Sequence, residues 1–496
     1  MTARHVVVIG GGLAGITAAI SLCDAGHAVT LLESRPRLGG AASSYQRGGM
    51  TIDNGQHVFL RCCTSYQELL GRLGVTGSVA IQDRFDVTVL SGLRPTRARL
   101  RRSSLPSPLH LTGALAGYPL LSLAERARVA RAALAFRFAD PASPALDRQR
   151  LGDWLAARGQ DERTRRRLWD LFVVSSLNIS GDDASAGLAA KVIRTALLGR
   201  RDAADIGISR VPLGQLHAEA TGALLGKLGA AVRLGARAAS IERLPSGGFR
   251  IGLSRSEPTP PGDAAGADGV NLAGEADGSQ GINGSLLAHG VVLAVPAGQA
   301  ARLAASAGAA DAASIERLGY SPIVNVHVVY DRKVMDLPFA AAVDSPVQWV
   351  FDKTRHAGLP AGQYLAVSVS AADDVVDTPT AELRGVFLPA LEKLFPAAAG
   401  AGITDFFVTR ERRATFRQGP GAGALRPGAA TSVPGLALAG AWTDTGWPDT
   451  MEGAVRSGHN AAQVLARGLA SLPAAEFDTV GRRDAAGTQA ARSGAS

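Results

Sequence analysis

The residues of this chain whose types and spacing could hold a cofactor stand near its start. Gly10, Gly12 and Gly15 fit G-x-G-x-x-G, and Glu33 follows Gly15 by 18 residues, near the ~20 expected of a carboxylate that accepts from a ribose 2′-hydroxyl. Glycines at that spacing permit a tight turn, backbone approach to a pyrophosphate and close packing of a helix on a strand. A carboxylate at position 33 favours an unphosphorylated adenosine ribose, so the expected chemistry is the holding of FAD or NAD, with NADP disfavoured.

These residues need a buried strand before them and a helix after them. His5 to Ile9 is a continuous apolar, β-branched run that stops at glycine, as a strand buried on both faces requires. A helix opens at Leu13 and Ala14, reaches Cys23 and ends near Gly26, and a second apolar strand from Ala28 finishes in Glu33. Strand, glycines, helix, strand and acid fall in order. This separates the stretch from a chance Gly-rich turn in a chain of 59 glycines, and Gly10, Gly12, Leu13, Ala14, Gly15 and Glu33 are read as cofactor-binding.

Downstream the chain reads Ser34-Arg35-Pro36-Arg37-Leu38-Gly39-Gly40, and near its other end Gly440-Ala441-Trp442-Thr443-Asp444 leads into Met451-Glu452-Gly453-Ala454. An acid followed by R-x-R-x-G-G, and a strand ending in A-G before a helix opening with M-E-G-A, resemble the two flavin motifs of the amine oxidase and phytoene desaturase flavoproteins. Asp53-Asn54-Gly55-Gln56-His57, the segment from Pro108 to Arg126 and W-T-D-T-G-W-P-D-T-M-E-G-A at 442–454 are similar to the squalene-associated branch of that group, the hydroxysqualene dehydroxylases. The resemblance covers most of the chain. It implies an α/β fold with an FAD-binding Rossmann-like domain of glutathione reductase type and a discontinuous α+β substrate domain. It further implies a triterpenoid lipid substrate, reductive loss of a hydroxyl, and cofactor contacts from Arg35, Gly39, Gly40, Gly440, Asp444, Met451, Glu452 and Ala454. No cysteine occurs between 431 and 458, where the covalent members of the group attach their flavin, so FAD is expected to be noncovalent. Many relatives carry an acid where this chain has Ala441.

On this reading residues 1–85, 205–300 and 405–470 form the FAD domain. Residues 86–204 and 301–404 form the substrate domain, the first part mainly helical and lipid-facing. The stretch 254–285 turns to Pro, Gly, Ala, Asp and Ser and is expected to be a disordered insertion, as is the small, polar tail 473–496. From Leu120 a helix is expected, with Leu123, Ala127, Ala130, Leu134 and Phe138 on one face and arginines around the rest. That face is expected on the substrate domain's core, with membrane contact as the alternative. His327 is expected to be a half-exposed strand residue.

A formal net charge of +9 admits nucleic acid, an anionic membrane surface or nothing specific, a solvated face being the default. Aromatics at 5%, with no interleaving of the arginine clusters, disfavour nucleic acid. Cys23, Cys62 and Cys63 make neither a disulfide framework nor a metal site, and no signal peptide is read, so a cytoplasmic protein is expected, with contact at the inner face of a membrane as the alternative.

For the chemistry, hydride delivery at flavin N5 to an allylic carbon as hydroxide leaves would be helped by a proton donor. His57 and Asp53, from the loop that the resemblance puts near the flavin ring, and Asp444 are the candidates. The competing reading is that Asp53 and His57 only fix their loop. The electron donor is left open. A carotenoid or polyprenoid desaturase is the alternative function, and a prenyl-lipid carrier that lost its flavin is the non-enzymatic one, against which an intact glycine fingerprint argues.

Overall fold

The computed structural model describes residues 3–255, 284–309 and 313–471. The expected tail at 473–496 and nearly all of the expected insertion lie outside the described residues. The strands Phe249–Arg255 and Gly284–Ala288 that flank this insertion pair antiparallel, and with Ala236–Arg243 they make a three-stranded sheet.

Five short apolar strands form a wholly parallel sheet in the spatial order 231–234, 28–33, 5–9, 290–293, 436–438. Numbered along the chain that order is 3-2-1-4-5, the doubly wound arrangement whose switch point lies outside the carboxyl ends of its central strands. The helices Leu13–Asp24, Thr64–Arg72 and Met451–Ser471 cover one face, burying Ile16, Leu70, Val455 and Leu465 together. The three-stranded sheet and the helix Ala297–Ser306 cover the other. Gly458 lies so close to the first helix that a Cβ there would stand 2.4 Å from the Ala14 carbonyl oxygen. The two helices therefore pack backbone to backbone.

A second, seven-stranded sheet runs in the order 403–416, 320–330, 363–369, 349–352, 339–343, 86–91, 97–101. The segment expected to open as a helical block at 86 thus opens with two strands of this sheet, and helices follow from 112. Strand Ile403–Phe416 pairs along Tyr320–Tyr330, so the return to the nucleotide-binding sheet comes after it and not at 405. His327, expected half-exposed, is fully buried: its ring accepts or donates at Tyr364 Oη (2.7 Å) and Thr409 Oγ1 (3.0 Å) and stacks on Phe407. Both faces of that strand are covered, which an alternating sequence does not reveal.

The helix Leu123–Phe138 forms as expected but turned over. Ser122 and Glu125 close a capping box that fixes its start. The buried stripe is Glu125, Val129, Ala132 and Phe136, with the Phe136 ring 4.2 Å from Trp154 and 5.4 Å from Trp169. Leu123, Leu134 and Phe138, expected on the core, are exposed. The two tryptophans select the inward stripe, and their place beside this helix is a tertiary fact that periodicity does not carry.

Candidate active site

The glycine turn closes as its residues require. Gly10 has φ +109°, and a Cβ there would stand 2.2 Å from the Ala294 carbonyl oxygen. A Cβ on Gly15 would collide with the carbonyl oxygen of Gly10 at 1.8 Å. Gly12 is different: a Cβ there would meet only Gly40 Cα, at 3.8 Å. It faces open space at the start of a helix that no side chain caps, the arrangement that receives a phosphate. Leu13 and Ala14 form the buried first turn.

Glu33 is buried at the end of its strand. Its Oε2 accepts from the Gly11 N–H (2.7 Å), and its Oε1 accepts from the Arg35 N–H (2.7 Å) and the Ser34 hydroxyl (3.2 Å). Three of about four acceptor positions of the carboxylate are taken, leaving room for one ribose hydroxyl. Gly39 donates to the Gly11 carbonyl (2.8 Å), and Gly40 lies against Gly12, roofing the turn. The side chain that the R-x-R-x-G-G reading passed over is Arg37, whose Nε is buried without a partner, as are Ser43 Oγ and Gln56 Nε2. Orphaned donors beside an open glycine cradle fit a dinucleotide. The fit favours Arg37 over Arg35 as the arginine that reaches it.

The second motif supplies support as well as surface. The Gly440 N–H donates to the Ser457 hydroxyl oxygen (2.8 Å), and Trp442 Nε1 donates to the Val295 carbonyl (3.1 Å). Arg426, buried, donates to the carbonyls of Ala441 and Thr443 and holds this loop. Thr450 caps the helix that Met451 opens, through the Gly453 N–H (3.2 Å), with Ala454 in its first turn. Glu452 has a positioning role: it is buried, it accepts from the Ser65 and Tyr66 N–H groups at the start of the 64–72 helix, and Arg456 donates to it (2.7 Å). Asp444 is exposed, with its carboxylate closing a turn on the Gly446 N–H (3.1 Å). The structure does not bring it to the other two candidate acids. Asp449, half-buried, accepts from the Phe416 N–H (2.9 Å) and is pushed up to about 6 by desolvation.

Asp53 and His57 do come together, lining a cavity of about 90 Å³ with Ser209, Leu213, Phe351, Lys353 and His356. Asp53 is 4% exposed. Its Oδ2 accepts from Lys353 Nζ (2.8 Å), and its Oδ1 accepts from the Ser44 hydroxyl (2.7 Å) and the Leu213 N–H (3.0 Å). Burial would raise its pKa, but the ammonium and these bonds outweigh it and hold Asp53 below its usual range. It stays ionised at neutral pH and is no proton donor there. Burial likewise keeps His57 neutral, with the Asp53 charge and the Ala41 carbonyl opposing this only in part. The cation of the site is Lys353, 300 residues beyond Asp53, and no motif marked it.

An open glycine cradle at a doubly wound switch point, beside a cavity holding a buried charge pair, is the setting of a dinucleotide-dependent redox enzyme. A model of the flavin containing amine oxidoreductases matches residues 13–466, and the chain belongs to that family, so it is an oxidoreductase whose cofactor is a flavin. It is 30% identical over 470 residues to the hydroxysqualene dehydroxylase of Rhodopseudomonas palustris, covering 94% of this chain and 100% of that protein. It is 24% identical over 508 residues to a zeta-carotene desaturase of Zea mays, covering 93% and 83%. Among solved structures, cyclohexylamine oxidase from Brevibacterium oxydans IH-35A shares the fold, with a TM-score of 0.66 over 95% of this chain and 100% of that one, at 21% identity.

Proposed function

We propose that this chain binds FAD noncovalently and removes the hydroxyl of hydroxysqualene, R–OH + 2 e⁻ + 2 H⁺ → R–H + H₂O, to give squalene. The observation that carries the reading is the likeness to the Rhodopseudomonas hydroxysqualene dehydroxylase across the whole length of that protein. When bound, the flavin supplies hydride chemistry at N5. Glu33, Gly12 and Arg37 are the groups that would hold its ribose and diphosphate, and the absence of cysteine from 431 to 458 supports noncovalent attachment.

The remaining work belongs to the protein. Hydroxide is a poor leaving group, so the departing oxygen needs a proton or a cation near it. Lys353 suits this role: one of its three N–H bonds is directed to Asp53 (2.8 Å), and two are left for an oxygen in the cavity. Asp53 orients the ammonium. Val58, Ile208, Leu213 and Phe351 supply the cavity's apolar wall, which keeps water from the reacting carbon. An external donor must reduce the flavin at each turnover.

Anaerobic photoreduction followed by hydroxysqualene tests the reading. Flavin reoxidation with stoichiometric squalene is the expected result. The zeta-carotene desaturase match favours polyprene desaturation as the second reading. It would be upheld by reduced flavin that persists with hydroxysqualene, while a partly saturated polyprene bleaches the oxidised enzyme.

A further inference from the structure

We propose that the outward face of the Leu123–Phe138 helix, with the neighbouring loop at 104–111, docks the protein on the surface of an anionic lipid bilayer. Leu123, Ala127, Ala130, Leu134 and Phe138 lie on one stripe, opposite the stripe that Val129, Ala132 and Phe136 bury. At ~1.5 Å per residue the stripe is about 22 Å long. Phe138 is 80% exposed and Leu123 78%, and exposed side chains of this size in a row mark an interaction surface.

The loop widens this stripe into a patch. The Ser107 hydroxyl and Arg137 Nη1 both donate to the Leu198 carbonyl (3.0 and 3.1 Å). That shared acceptor holds the exposed Leu105 and Leu109 beside the last turn of the helix.

The charge around the patch selects its partner. Arg126, Arg131, Arg137 and Arg201 direct their guanidinium groups to backbone carbonyls, those of Leu121 and Ala116, Arg158, Leu198 and Ser104 respectively. None of the four pairs with a carboxylate among the described residues. A carbonyl leaves the positive charge uncompensated, so cations flank the apolar stripe and outnumber Asp140, the exposed acid just past its end. A second copy of the chain would bring like charges together, whereas anionic headgroups above acyl chains satisfy both the arginines and the leucines. Among the described residues no helix is long and apolar enough to cross a membrane, so the contact is peripheral. Such docking would place the protein where a long apolar substrate dissolves.

Vesicle co-sedimentation of the flavin-loaded full chain tests this. Vesicles of phosphatidylcholine with about one third phosphatidylglycerol should pellet the protein about tenfold more strongly than phosphatidylcholine alone, and salt should weaken that preference. L123S/L134S/F138S should lose binding about tenfold on both vesicles. R126Q/R131Q/R137Q/R201Q should lose only the preference for the anionic ones. An unchanged flavin spectrum shows that each variant folds, and F138S alone, about threefold weaker, serves if a multiple variant does not. Wild type left in the supernatant with both vesicles, or serine variants that bind like wild type, would overturn the proposal. So would a dimer in sedimentation velocity that the serine substitutions disperse, which would make a second copy the occupant. The assay reads no turnover, so its failure leaves the dehydroxylase reading standing, and a failed turnover leaves this proposal standing.

Discussion

Replacing Lys353 by methionine removes the one cation that, among the described residues, is bonded to Asp53, a carboxylate almost wholly out of water. The Asp53 side chain is 2% exposed and the Lys353 side chain 11%, so the substitution strands the deeper of the two charges. Breaking a buried pair from one side costs about 3–5 kcal/mol. Asp53 would keep the Ser44 hydroxyl and the Leu213 N–H, which places K353M at the lower end, near 3 kcal/mol. D53N strands the shallower ammonium and should cost about 2 kcal/mol, while the double variant, with no charge left to bury, should cost about 1 kcal/mol. The sign with pH follows from the direction of the Asp53 shift. Its folded pKa is depressed, so its stabilisation is present above the unfolded value of about 3.9 and is lost as pH falls through the folded one. In K353M burial, the largest influence on Asp53, is opposed only by the Ser44 and Leu213 bonds and raises the pKa, a penalty that applies only above about 3.9. The deficit should therefore be widest near neutrality and close in acid. Urea unfolding followed by tryptophan fluorescence at about pH 8 and about pH 4 measures it. A deficit equal at both pH values, or a double variant as unstable as the two singles added, would refute the argument. The double variant also separates two roles of Lys353. It should regain stability while staying about 10²-fold or more below wild type in turnover.

Filling the open side of the glycine turn with G12V should give a folded, colourless protein, checked by flavin absorbance and far-UV circular dichroism. D444N should keep turnover within about twofold, because an exposed carboxylate closing its own turn does not meet substrate; a 10²-fold loss would restore it as an acid. Asp449 is raised to about 6, so the ionised form costs stability above the unfolded value near 3.9. D449N should accordingly be about 2 kcal/mol more stable than wild type at pH 8 and no more stable below pH 4, read from paired urea titrations. R37M should weaken flavin retention on dilution more than R35M does, and equal retention would return the contact to Arg35.

The nucleotide-binding turn was legible because everything it needs is local: a strand, three glycines, a helix and an acid within Val6 to Glu33. The motif at 440–454 was legible as a motif but not in its division of labour. Its side chains face several neighbours, and only the fold shows Glu452 buried and turned to the 64–72 helix while Asp449 accepts from the Phe416 N–H. Lys353 was invisible for a related reason. A lone lysine after a strand carries no spacing signal, and its meaning lies in a carboxylate three hundred residues away. The helix at 123–138 shows the opposite failure. Its periodicity was real, but the stripe it named was the outer one, because bulk and sockets decide which side of a helix with two apolar stripes turns inward.

The parallel sheet that carries the flavin turn joins strand His5–Ile9 to strand Leu436–Leu438 through Gly290–Leu293, and helix Leu13–Asp24 is covered by Met451–Ser471. During synthesis at ~5–20 residues per second, roughly 20–90 s pass between the appearance of the first strand and the last. Through that interval the face of the first helix at Ala14, Thr17 and Ala18 lacks the cover that Gly458 brings to it. Flavin capture is thus expected late in biogenesis. A ribosome stalled anywhere before residue 436 would release a chain unable to take up its cofactor, however complete its glycine fingerprint.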